Sequence, residues 1–82
     1  MGKFKEELVG CEVKVLASKN SANVGISGRI VDETRATLVV KAKGGERRVL
    51  KRPSLFEITL GARTLRVPGS SLLGTSSERL VN

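Results

Sequence analysis

Histidine, tryptophan and tyrosine are absent from this 82-residue chain, and phenylalanine occurs only at Phe4 and Phe56. Without histidine, no side chain titrates near neutrality in its ordinary state to serve as a general base. A lone cysteine, Cys11, excludes an internal disulfide and, with histidine missing, leaves too few ligands for a zinc site. It fits an intracellular chain in which Cys11 is a small packing residue. No apolar run approaches the roughly 20 residues of a membrane-spanning helix. No secretory segment is visible, and Glu6 stands where myristoylation would want Ser or Thr. A cytoplasmic location follows. With so few aromatics, Val, Leu and Ile must fill the core of a single small domain that buries about 60–65% of its unfolded surface.

Negative charge is scarce in the middle of the chain. Residues 1–34 hold five basic and five acidic side chains, and residues 67–82 hold only Glu78 and Arg79. Residues 35–66 carry Arg35, Lys41, Lys43, Arg47, Arg48, Lys51, Arg52, Arg63 and Arg66 against Glu46 and Glu57. The whole net charge of +7 therefore sits there. Such a block is the footprint of a polyanion binder; the competing reading is a solvated surface that favours solubility.

What the chain does have is period-two patterning. In VGISGRIVDETRATLVV (24–40), Val24, Ile26, Gly28 and Ile30 alternate with Gly25, Ser27 and Arg29, which predicts a strand with one buried face. Gly25 and Gly28 inside it predict a sharp bend or a close backbone approach. Asp32-Glu33-Thr34-Arg35-Ala36 breaks the pattern, and Thr37–Ala42 resumes as a second strand. Glu12–Ala17 alternates with Val13, Val15 and Ala17 inward. Lys43-Gly44-Gly45-Glu46 predicts a hairpin with Gly-Gly in a type I′ turn. Phe56, Ile58 and Leu60 share one face, and Leu65 and Val67 return beside them. The expected fold is an all-β, six-stranded, strongly bent antiparallel barrel of the Sm-like or SH3-like kind. It spans residues 11–69, with a short helical N-terminus over 1–10 and a short C-terminal segment over 70–82. In the former, Phe4 and Leu8 lie four apart and Gly10 supplies a C-cap. Phe4, Leu8 and Val9 read either as part of the core or as a docking surface for a partner protein. Leu72 and Leu73 are expected to cap the barrel in a helical turn.

No catalytic residue and no cofactor is expected. Asp32 and Glu33 are adjacent, so on a strand their carboxylates point to opposite faces and do not converge on a metal. Turn chemistry accounts for them: Asp32 or Thr34 accepts backbone N–H bonds in a tight reversal.

Gly25-Ile26-Ser27-Gly28, the pair Ile30-Val31, then Asp32-Glu33-Thr34 and Leu38 resemble the signature of archaeal ribonuclease P protein component 1. Glu7-Leu8-Val9-Gly10, Ser18, Asn20, Lys51, Phe56, Gly69-Ser70 and Glu78-Arg79 match in the same order, across nearly the whole chain. Thr75 and Ser76 depart from it, standing where the family tends to show a basic residue and a proline. The resemblance implies the same barrel fold and a subunit of ribonuclease P, the endoribonuclease that removes the 5′ leader from precursor tRNA. In that family the catalyst is RNA, so the chain itself does no chemistry. The implied partners are ribonuclease P RNA, the zinc-ribbon subunit called component 4 and other ribonuclease P proteins, with a monomer expected in isolation. The implied RNA contacts are Ser18, Asn20, Arg35, Lys41, Arg47, Arg48, Lys51, Arg52, Arg63, Arg66 and Arg79. Without the resemblance, a ribosome-associated or Sm-like RNA-binding barrel fits equally well.

Overall fold

In the computed structural model of the protein, which describes residues 7–75, the alternating segments form one antiparallel sheet in the order β4-β3-β2-β1-β5-β6. The strands are β1 (Glu12–Ser18), β2 (Ser27–Glu33), β3 (Thr37–Ala42), β4 (Gly45–Leu50), β5 (Ser54–Leu60) and β6 (Arg63–Pro68). Val13, Val15, Ile30, Leu38, Val40, Val49, Phe56, Ile58 and Val67 meet in one apolar cluster with Leu8, Ile26 and Leu72. Each such side chain contributes about 1.5–3 kcal/mol on burial. The all-β, six-stranded expectation holds.

The barrel, however, is not closed. β4 and β6 are the two edges of the sheet and form no ladder with each other. β6 ends at Pro68, which has no N–H to donate, and the chain then tightens into a 3₁₀ turn, Gly69–Leu72. From that turn Leu72, fully buried, enters the core, as the expected cap does.

Two bulges bend the sheet, and each moves residues from one face to the other. The register of β1 against β5 shifts between Val15 and Ala17, so Ala17 is exposed rather than inward. The register of β2 against β3 shifts between Ile30 and Asp32. Val24 also departs from expectation: it precedes β2, in the turn where Gly25 takes a φ of +90°, and it is 47% exposed. Gly28 fulfils its predicted role. A Cβ there would lie 2.1 Å from the Lys41 carbonyl oxygen, so only glycine lets β2 and β3 approach.

Among the described residues no N-terminal helix is seen. Residues 1–6, Phe4 included, lie outside the described residues, and residues 8–11 form a tight turn in which the Cys11 N–H donates to Leu8 O at 3.0 Å. Gly10, at φ +98°, donates its N–H to Ile30 O at 2.7 Å and ties the turn to β2. The β3–β4 hairpin pairs Ala42 with Gly45, so Lys43 and Gly44 form the loop. Lys43 keeps a negative φ while Gly44 and Gly45 are positive, which is not the type I′ turn expected of Gly44-Gly45.

Candidate nucleic-acid interface

Eight of the nine cations in the central basic block are exposed; the ninth, Lys51, is fully buried. The phase of β4 explains this. Val49 points into the core, and Lys51, two residues on, continues on the same face, its N–H extending the ladder to Ala36 O at 2.8 Å. The Lys51 ammonium donates to Glu33 Oε1 at 3.0 Å, Thr34 O at 2.7 Å and Gly74 O at 2.9 Å. The Glu33 side chain is itself only 5% exposed. A charge buried this way is tolerable because it is paired and every donor has an acceptor. The hub also joins what the open sheet leaves apart: the end of β2, the β2–β3 turn, the β4–β5 turn and the segment after β6. Gly69 packs on the same spot, where a Cβ would overlap the Lys51 carbonyl. Lys51 therefore leaves the set of expected RNA contacts.

Of the acidic motif, Glu33 serves the hub, whereas Asp32 and Thr34 do the expected turn chemistry. Asp32 Oδ1 accepts the Glu33 N–H at 2.8 Å, and Thr34 Oγ1 accepts the Thr37 N–H at 3.1 Å. The reversal is locked by Thr34 N–H to Thr37 O at 3.0 Å.

Cross-strand register sorts the exposed cations. Glu12, Arg29, Lys41 and Glu46 stand opposite one another across β1–β4, so Lys41 lies between a cation and a carboxylate. Arg29 and Glu12 form an exposed ion pair at 3.3 Å, a contact of at most about 1 kcal/mol. Arg66 faces Glu57, which also faces Lys14. Arg47 and Arg48 face Val40 and Val39, and Arg63 faces Leu60. The cations without a cross-strand carboxylate are thus on β4 and β6, the two sheet edges. Lys43, in the β3–β4 loop, adds to the first edge.

A third group gathers where β1, the β2–β3 turn and the β4–β5 turn meet. Ser54 Oγ donates to Ser18 Oγ at 3.2 Å, and the Lys19 N–H donates to Pro53 O at 3.1 Å beside Arg52. Ser18 Oγ accepts the Asn20 N–H at 3.2 Å, and Asn20 Oδ1 caps the 3₁₀ turn Ser21–Asn23 through the Ala22 N–H at 3.1 Å. Exposed Arg35 lies in the β2–β3 turn, which the Lys51 N–H ties to the β4–β5 turn through the neighbouring Ala36 O at 2.8 Å. Ser18, Asn20, Lys19, Arg35 and Arg52 are brought together, with the oxygens of Ser18 and Asn20 already engaged within the loop.

Leu8 is fully buried and Val9 is 42% exposed, so of the expected docking set Leu8 is core and Val9 is surface. Arg79, like Phe4, lies outside the described residues. Residue types and spacing gave no warning of the Lys51–Glu33 pair, although the in-phase spacing of Val49 and Lys51 was a legible signal of burial.

Residues 4–82 match the family model for ribonuclease P/MRP, subunit p29. Ribonuclease P protein component 1 of Methanocaldococcus jannaschii is 38% identical over 78 residues, which covers 94% of this chain and 82% of that protein. Its counterpart in Thermofilum pendens is 41% identical over 79 residues, covering 94% and 84%. The fold is similar to a solved structure of a homologue of human RNase P protein Rpp29, with a TM-score of 0.65 and 34% identity, covering 90% of this chain and 97% of that one.

Proposed function

The chain belongs to the ribonuclease P/MRP subunit p29 family, and from that premise we propose that it works as an RNA-binding subunit of ribonuclease P through its cationic sheet edges. The enzyme cleaves the 5′ leader from precursor tRNA, and this chain is one of its protein subunits. The observation that carries the mechanism is the segregation of charge. Eight cations from residues 35–66 are exposed, and the ninth, Lys51, is consumed internally. Lysine and arginine on the edges neutralise phosphates and hold RNA segments in position; they do not cut. Arg35, Lys41, Arg47, Arg48, Arg52, Arg63 and Arg66 are the proposed contacts, with Ser18 and Asn20 beside Arg52.

The edges also bear on assembly. Joining β4 of one copy to β6 of another would set Arg47 and Arg48 near Arg63 and Arg66, which opposes ring formation by self-pairing. That supports a monomer that waits for other ribonuclease P proteins. The zinc-ribbon subunit, component 4, is the proposed direct partner, and exposed Val9 beside the buried Leu8 turn supports a docking surface at the N-terminus. No helix among the described residues is long and apolar enough to cross a membrane, and a cytoplasmic site of action suits precursor tRNA as the enzyme's substrate.

The test is a salt titration of binding to ribonuclease P RNA. With about four to six phosphates neutralised, the log–log slope is expected at about −3 to −5. Affinity that holds unchanged from low to high salt would remove the electrostatic mechanism.

A further inference from the structure

One face of the β4 edge is concave. The segment Ala22–Ser27 and the β3–β4 loop enclose a groove of about 340 Å³, lined by Ala22, Val24, Ile26, Ala42, Lys43 and Arg47 together with Gly25 and Ser27. That volume falls at the lower end of the roughly 300–1,000 Å³ typical of sites for small organic groups. Polar atoms make up most of the groove's surface; Ile26 lies buried beneath it, and Val24, almost half exposed, supplies its apolar side. Its rim is cationic. Arg47 stands opposite core-facing Val40, so it projects on the inner side of β4, and Glu46 projects on the other. No carboxylate lines the groove. Within the described residues the side chains of Arg47 and Lys43 and the Ser27 hydroxyl make no hydrogen bond or ion pair.

We propose that this groove receives a single unpaired nucleotide of the RNA, its base against Val24 and its phosphate on Arg47 and Lys43. A planar base can lay its apolar face on Val24 and turn its polar edge to the Ser27 hydroxyl. A guanidinium at the rim matches a phosphate with two parallel N–H donors. Unpaired nucleotides can be splayed out of a helix into such a site, whereas paired ones cannot. The phosphate-tracking edges then supply affinity, and the groove supplies a preference for RNA with a bulge. This inference rests on the RNA-binding function proposed above and narrows it to one subsite.

The test compares two RNA hairpins, one fully paired and one carrying a single bulged 4-thiouridine, bound to the full chain at low salt. The parent protein is expected to favour the bulged hairpin. Arg47→Gln and Val24→Asp, both at exposed positions and checked by thermal melting, should each weaken the bulged complex about tenfold. Val24→Asp should leave the paired complex within about twofold, whereas Arg47→Gln, which also removes a phosphate contact of the edge, should weaken the paired complex as well, but less than the bulged one. Arg66→Gln, on the far edge, should weaken both hairpins alike. Ultraviolet light should cross-link the thiouridine to residues 22–27 or 42–47. If the parent binds the two hairpins equally and the cross-link maps elsewhere, the groove is not a nucleotide site and RNA binding stands. If the parent binds neither hairpin, RNA binding itself fails and the groove falls with it.

Discussion

Replacing Lys51 by methionine keeps the length of the side chain and removes its charge from the buried hub. The Glu33 carboxylate, at 5% side-chain exposure, then loses its counter-charge, and Thr34 O and Gly74 O lose their donor. Breaking a buried pair from one side costs about 3–5 kcal/mol. A domain of this size has a total stability of only about 4–12 kcal/mol. The midpoint of thermal unfolding should therefore fall by about 4–8 °C for each kcal/mol lost, and urea denaturation should report the same loss. Adding Glu33→Leu removes the buried carboxylate as well, so the double variant should regain part of it. Thr34 O and Gly74 O still lack the ammonium, at about 1–3 kcal/mol each, so recovery stays incomplete. Because the ammonium is sealed from solvent, any folded Lys51→Met protein should bind RNA with the parent's salt slope. A loss of under about 1 kcal/mol, or full stability with lost RNA binding, would refute the hub and return Lys51 to the surface chemistry expected from its charge.

Gly28→Val should destabilise by about 3 kcal/mol or more, because even its Cβ would lie 2.1 Å from Lys41 O; Gly25→Ala meets open space and only a strained φ, at about 1–2 kcal/mol, so equal losses in urea melts would contradict this packing. Leu8→Ala should cost about 2–5 kcal/mol of stability as a core truncation. Val9→Asp should leave melting unchanged yet weaken binding to the zinc-ribbon subunit by about 2 kcal/mol in titration calorimetry; parent-like affinity would move the docking surface elsewhere. Light scattering of the isolated chain should give a monomer at moderate salt, and a ring of copies would show that the like-charged edges do not oppose pairing.

Much of this protein was legible in its residues. Period-two alternation depends on nearest neighbours along the chain, so the six strands and the core positions Val13, Val15, Ile30, Phe56 and Ile58 could be read directly. Composition is equally local, and the central basic block, with nine cations against Glu46 and Glu57, stated the electrostatics without any coordinates. The family resemblance was carried by ordered residues, among them Asp32-Glu33-Thr34, Lys51 and Gly69. Tertiary structure alone decided what several of them do. A one-residue bulge inverts every later side chain on its strand, so Ala17 turned outward although the alternation placed it inward. The fate of Lys51 depended on a carboxylate 18 positions away and a carbonyl 23 positions away. Its charge announced a surface residue, and only the convergence of three chain segments could make it a core one. Leu8 and Val9 parted company for the same reason: a tight turn, not a helix, set which of two neighbouring apolar side chains met the sheet. Spacing along a chain specifies the face a residue takes, but the partner waiting on that face is brought there by the fold.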